Sequence, residues 1–247
     1  MDYLRYNGEA LIYTTLLLIG GMVLTGVTLG LFALIKLPVE EFYLRYVVVY
    51  GAVACPIVAT YVVDQSFSHG EKDWVSENKA PIARVLAKLF SPLFLVTVLV
   101  YLLAMLVQRK SPYTDRDFLI GFNVLLLIVL GLAVFSTLER GDAKEKSPGD
   151  FVNLALVLAT LVLDLVALSA ILFRLASHGF TPNRSAVLGA NLVVFVHLAG
   201  ISYTYLRFIM GKGEMKDVEA WITRYLPVYT AWSVVVTFAF PLIYRFG

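Results

Sequence analysis

One acidic residue interrupts an apolar run that otherwise carries no charge. Asp164 lies in "LVLATLVLDLVALSAILF" (156–173), and His197 lies in a second apolar run, 185–209. Carboxyl and imidazole side chains both accept and release protons, and histidine does so near neutral pH. At the centre of a membrane-crossing helix, an ionised carboxylate costs at least ~2.5–3.5 kcal/mol. Asp164 therefore predicts either a proton or ion pathway or a buried polar pair.

The spacing around the next polar break places nearby polar residues at similar depths. If the chain turns near Gly179, Asp164 lies 15 residues before the turn, Asn191 lies 12 after it and His197 lies 18 after it. At ~1.5 Å per residue, antiparallel helices bring Asn191 and His197 each within about one helical turn of Asp164. Asn191 and His197 are about 120° apart around their own helix, so they do not both face Asp164.

Two hypotheses for this intramembrane polar site stay open. The first is a proton-coupling pair of Asp164 and His197, in which His197 titrates near neutral pH. The second is a structural hydrogen bond that holds the fifth and sixth helices together. The activity of Asp164→Asn relative to the wild type distinguishes the two.

The polar break itself, "HGFTPNR" (178–184), has the composition of a turn between helices. Gly179 suits the position just after a helix, where a positive φ is often required. Thr181 suits the cap of the next helix, with Pro182 at its first position. Arginine suits the recognition of phosphate. We therefore predict a headgroup- or anion-binding site from the polar residues that the turn does not need: Arg174, Asn183 and Arg184.

The elements that carry these residues are membrane-crossing helices. Of the 247 residues, 59% are hydrophobic and 15% are charged, and the mean hydropathy is +0.79. A soluble domain has about 25% charged residues, and ~20 apolar residues cross a bilayer as a helix. We predict an all-α, polytopic transmembrane bundle, a single domain over 1–247 with short loops. Its seven predicted spans are 11–35, 42–63, 82–107, 118–138, 151–173, 185–209 and 226–245.

Two segments have the apolar stripe of an amphipathic helix. They are "APIARVLAKLF" (80–90) and "EMKDVEAWITRYL" (214–226), and both suit the membrane interface. The first is equally well explained as the basic first turns of a tilted third span. In the second, Trp221 and Tyr225 are residue types that favour the headgroup layer.

Small residues four positions apart predict close approach of helices. The pairs are Gly26 with Gly30 in the first span and Ser185 with Gly189 in the sixth.

Several classes of function are excluded by what the sequence lacks. Cys55 is the single cysteine, so there is no disulfide framework or cysteine metal cluster. The formal charge of +2 does not indicate nucleic acid as a partner. No H-E-x-x-H, G-x-S-x-G, P-loop or G-x-G-x-x-G motif is present. We predict no catalytic residue, no metal and no cofactor. The predicted partners are membrane lipids, with a protein partner or a second copy of the chain as a further candidate.

The distribution of Lys and Arg predicts the orientation. When each Lys and Arg is assigned to the nearer end of a predicted span, the N-terminal side carries twelve of these residues and the opposite side carries eight. Because cytoplasmic loops are enriched in Lys and Arg, this predicts a cytoplasmic N-terminus.

The chain resembles the bacterial integral membrane proteins of the family DUF4153, in their Bacteroidetes-type form. The resemblance is carried by "GEALIYTTLLLIGGMVLTGVTLGLF" (8–32), "EEFYLRYVVVYGAVACPIVATYVV" (40–63), "IARVLAKLFSPLFLVTVLVYLLAM" (82–105) and "SPYTDRDFLIGFNVLLL" (111–127). It continues through 163–198, where the turn G-[FIL]-T-x-N-R is the most specific element. The resemblance implies a multi-pass protein of the bacterial inner membrane, and it leaves open a shortened form or a C-terminal unit of longer members. It implies no reaction.

Three functions are compatible with these features. The first is a transporter or channel-like protein with a proton-linked polar site between helices 5 and 6. The alternative is a non-catalytic membrane scaffold, sensor or partner-binding subunit. The third is a membrane enzyme that binds a lipid headgroup. The absence of a catalytic motif favours the first two.

Overall fold

Helices account for nearly all of the computed structural model, which describes residues 2–68, 81–108, 116–140 and 146–244. Within these ranges no residue lies in a β-strand. The sequence explains this choice, because only a helix or a closed barrel satisfies every backbone N–H and C=O inside a bilayer.

Seven long helices follow one another along the described chain. Five are regular: α1 (Asp2–Leu34), α3 (Pro81–Gln108), α4 (Arg116–Arg140), α5 (Pro148–His178) and α6 (Pro182–Ile209). The other two each contain a π-helical segment. Helix α2 consists of Glu40–Phe42, the π segment Tyr43–Val48 and Val49–Ser68, and α7 consists of Met215–Val234, the π segment Val235–Ala239 and Phe240–Tyr244.

All seven helices are long and apolar enough to cross a membrane. The predicted number of spans and their order along the chain are therefore confirmed. The protein is a multi-pass helical membrane protein.

The two amphipathic segments are not separate interfacial helices. Residues 215–226 form the first turns of α7, which continues through Pro227 without a break. Met215, Val218 and Ile222 of this segment are buried in the bundle. The helix begins with a capping box between Glu214 and Asp217, and membrane helices tolerate an internal proline.

The earlier segment behaves in the same way. It opens α3, which continues through Pro92. Within its described side chains, Ala87 and Phe90 are buried in the core. The structure therefore agrees with the other prediction for this segment, namely that it forms the basic first turns of the third span.

Helix α5 is at the centre of the packing. It contacts α3, α4 and α6, while α1 packs against α2, α3 and α4. Helix α7 contacts α6 along its length and α4 through its first segment. The buried side chains from these contacts form one continuous apolar core.

Helices α6 and α7 meet through two glycine notches. The indole ring of Trp232 fills the space beside Gly189, and the indole ring of Trp221 fills the space beside Gly200. A methyl group on either glycine would overlap the ring. The predicted close approach at Gly189 is therefore confirmed. At Gly26 and Gly30 an added Cβ would meet no atom within 4 Å, so that pair contacts no helix among the described residues.

The turn between α5 and α6 has the predicted form. Gly179 ends α5 with φ of 76°, which is the backbone region that favours glycine. The side chain of Thr181 accepts a hydrogen bond from the backbone N–H of Arg184, and Pro182 occupies the first turn of α6. This tight turn makes α5 and α6 antiparallel neighbours.

We predict that Gly200→Ala destabilises the protein by about 1–3 kcal/mol, the usual cost of overfilling a packed core. The added methyl group must displace the Trp221 indole, so tryptophan emission changes with the loss of stability. The measurement is thermal unfolding in detergent, monitored by fluorescence. Gly26→Ala is the matched control, since its Cβ enters open space. Equal melting temperatures for the two variants would contradict the close packing of the Trp221 indole beside Gly200.

Candidate functional site

Asp164 is fully buried near the middle of α5. Its side chain has 0% exposure, and the helix extends from Pro148 to His178. Both carboxyl oxygens are buried, and neither has a hydrogen-bond partner among the described residues. Buried polar groups in proteins are normally hydrogen-bonded. Asp164 therefore departs from this rule. It does so with a carboxyl group, the type of side chain that is most costly to bury without a partner.

His197 is held by α7. Its ring has 0% exposure, and Nδ1 lies 3.0 Å from the hydroxyl of Tyr229. The imidazole stacks on the ring of Tyr225 with centroids 4.6 Å apart. The Nε1–H of Trp221 donates to the backbone carbonyl of His197 at 3.1 Å. Three aromatic residues of α7 thus fix the position of one histidine of α6.

The second ring nitrogen of His197 makes no hydrogen bond to any described residue. Nε2 is buried and has no hydrogen-bond partner in the described part of the chain. The same is true of Nδ2 of Asn191, whose side chain is 3% exposed. The predicted polar site therefore consists of three buried residues, each with an unused hydrogen-bonding atom.

The structure does not contain the direct hydrogen bond that one hypothesis required. Since neither oxygen of Asp164 has a partner within the described ranges, Asp164 does not bond to His197. Tyr229 of α7 is hydrogen-bonded to His197 and lies within electrostatic range of Asp164. The site therefore lies among α5, α6 and α7.

The contribution of α7 was missed in the sequence. In the structure Trp221 and Tyr225, which were predicted to favour the headgroup layer, pack on α6 around His197. Their spacing held a signal, because Trp221, Tyr225 and Tyr229 follow at four-residue intervals and so share one face of a helix.

One residue of the predicted headgroup site, Arg184, takes part in the turn between α5 and α6. Nη1 of Arg184 donates to the backbone carbonyl of Gly179 at 3.1 Å. Asn183 is exposed and Arg174 is half-buried. Arg184 thus has a local structural role, closing the turn across the end of α5.

The chemistry available at the buried site is proton transfer. A carboxyl, an imidazole and a phenol all exchange protons; Asp164 and His197 are fully buried, and Tyr229 is partly buried. Among the described residues, no three His, Cys, Asp or Glu side chains lie close enough to hold a metal ion.

Comparison with models of known protein families, with curated proteins and with solved structures found no match to this chain. The resemblance to DUF4153 stays a prediction from sequence.

Two buried aspartates of α5 should respond oppositely to loss of the carboxyl group. Asp150 accepts a hydrogen bond from the backbone N–H of Ser147 at 2.7 Å and completes the capping box of the helix. Asp150→Ala removes this acceptor and should therefore cost about 0.5–2 kcal/mol, as loss of a cap does. Asp164→Asn removes an ionisable group that has no partner, so the melting temperature should be unchanged or higher, and clearly higher at alkaline pH.

Thermal unfolding of both variants beside the wild type measures this difference. A large loss of stability in Asp164→Asn would show that the carboxyl has a structural partner, and would contradict the unpaired state.

Proposed function

We propose that this protein is a transporter or channel-like protein that couples movement across the membrane to protonation of Asp164. The observation that supports it is a fully buried carboxyl group without a hydrogen-bond partner in the middle of a membrane-crossing helix.

The lack of a partner for Asp164 supports a functional role over a purely structural one. A structural aspartate in a membrane helix stabilises the bundle through a paired charge or a hydrogen bond, and Asp164 has neither among the described residues. Leaving a buried polar group unpaired costs about 1–3 kcal/mol, and more for a charged group. Residues that violate folding rules in this way are expected at functional sites.

The charge of the region favours a cation as the coupling ion. The buried charged residues of the described chain are Asp150 and Asp164, and no Lys or Arg is buried with them. A carboxylate without a positive partner attracts a cation, and a proton requires no cage of ligands. The proton is therefore the simplest ion that suits Asp164.

His197 and Tyr229 supply a way to transmit the change in charge. Their hydrogen bond joins α6 to α7, and its direction depends on which nitrogen of His197 carries the proton. A carboxyl that alternates between neutral and negative changes the field at Tyr229. We propose that this shifts the packing of α7 on α6 during transport.

The proposal includes the location and orientation of the protein. We place it in the bacterial inner membrane, as the resemblance to DUF4153 implies. We place the N-terminus in the cytoplasm, which the excess of Lys and Arg on that side supports. Some of these charged residues lie outside the described ranges.

Liposomes that contain the purified protein and a pH-sensitive dye test the function. Under an imposed pH gradient and membrane potential, the wild type should dissipate the gradient faster than empty vesicles. Asp164→Asn should abolish the difference, because an amide does not carry the proton.

Asp64→Asn is the matched control, since Asp64 is an exposed carboxyl at the end of a span. It should behave as the wild type does. If Asp164→Asn dissipates the gradient as fast as Asp64→Asn, proton coupling at Asp164 is wrong, and the non-catalytic scaffold becomes the better explanation.

A further inference from the structure

A line of buried polar residues extends from Asp164 towards the start of α5. On that helix, Asp150, Asn153, Thr160 and Asp164 are at most 6% exposed. At about 100° per residue, the four lie within a sector of about 80° on one helical face. The line therefore follows one side of α5 over about four turns.

Helix α6 adds two residues to the same line. Ser202 is 6% exposed and Tyr205 is 0% exposed, and at about 100° per residue they lie about 60° apart on one face. Since α5 and α6 are antiparallel neighbours, depth can be counted from residue 180 at the centre of their turn. Asp164 is 16 residues away, Thr160 20, Ser202 22, Tyr205 25, Asn153 27 and Asp150 30.

Successive residues of this line lie at similar depths. They differ by two to four positions, which is about 3–6 Å along the helix axes at ~1.5 Å per residue. Because Asp164 and Ser202 have no hydrogen-bond partner among the described residues, bridging water molecules or side-chain rotations must complete this part of the line.

The far end of the line is a connected polar cluster. The hydroxyl of Tyr205 lies 3.5 Å from Oγ1 of Thr137 on α4, and Nδ2 of Asn153 donates to Oγ of Ser136. Tyr205 also interacts with Asn153 and with the charge of Asp150. Asp150 in turn bonds to the backbone of Ser147, just before the helix begins.

Beyond Asp164 in the other direction, the buried face of α5 is apolar. Among the described side chains, the buried residues there are Ala167, Leu168, Ala170, Ile171 and Leu175. The polar line on this helix therefore leaves Asp164 towards one side of the membrane only.

We propose that Asp164, Thr160, Ser202, Tyr205 and Asp150 form a proton path between the middle of the membrane and the side where α5 begins, with Asn153 as a hydrogen-bond partner that positions Tyr205. This inference rests on the proposed proton-coupled function. A hydroxyl of the path accepts a proton on one side and releases its own on the other. One proton thus moves towards or away from Asp164, and each hydroxyl is unchanged afterwards.

Ser202 is the residue of the line whose hydroxyl can be removed with the least effect on the fold. Its Oγ is buried and has no hydrogen-bond partner among the described residues, so the hydroxyl contributes no bond to the fold. An alanine fills the same space without it. The other side-chain alcohol in this part of the line, Thr160, bonds to the carbonyl of Leu156 within its own helix.

Hydrogen–deuterium exchange of the Asp164 carboxyl, followed by infrared spectroscopy in liposomes, tests the path. The carboxyl band is assigned by its absence in Asp164→Asn. We expect Ser202→Ala and Tyr205→Phe to slow the exchange by at least about tenfold, since a positioned proton donor or acceptor contributes that much or more. Tyr13→Phe is the matched control, because Tyr13 is a buried tyrosine of α1, a helix that does not pack on α5.

The outcomes separate the two proposals. If the band exchanges in the wild type but Ser202→Ala and Tyr205→Phe are as fast as Tyr13→Phe, the path is wrong while coupling at Asp164 can still hold. If the variants are slow and Asp164→Asn transports as the wild type does, the path exists but the proposed function is wrong. If the wild-type carboxyl never exchanges, both are wrong.

Discussion

A bilayer offers no hydrogen-bond partners, so each polar atom within the spans must find one in the protein. Helices satisfy the backbone in this way, and most hydroxyls of the spans follow the same rule. Thr14, Thr25, Thr160 and Thr204 each donate to a carbonyl four residues earlier in their own helix. These side chains need no neighbour. Helix packing is then free to depend on apolar contacts and on notches such as Gly189 and Gly200.

Some buried polar atoms of the spans do not follow this rule. Unpartnered buried atoms occur on α3 and α4 at Ser91, Tyr101 and Asn123, and on α5 and α6 at Asp164, Asn191, His197 and Ser202. Only the second group contains ionisable carboxyl and imidazole side chains. An unpaired hydroxyl is a small cost, whereas an unpaired carboxyl inside a membrane is a large one. Because the most costly unpartnered atoms lie on the hairpin of α5 and α6, this hairpin is where we propose a functional site.

The sequence predicted the features that depend on local patterns. The number of spans follows from apolar length, and the turn at Gly179, Thr181 and Pro182 follows from backbone preferences of those residues. Asp164 was recognisable because a charge in an apolar run is rare. The partner of His197 was not predictable in this way. Tyr229 lies 32 residues further along the chain, and its contact depends on how α7 rotates and tilts against α6. That rotation is set by two indoles fitting beside two glycines, which is a property of the packed pair.

The protonation state of Asp164 is the quantity on which the account depends. Infrared difference spectra of the protein in liposomes, recorded across a range of pH, measure it through the carboxyl C=O band. The account predicts a band that appears on acidification, disappears at alkaline pH and is missing in Asp164→Asn. A wild-type spectrum that lacks any carboxyl band assignable to Asp164, or that shows one unchanged at every pH at which the protein remains folded, would contradict it.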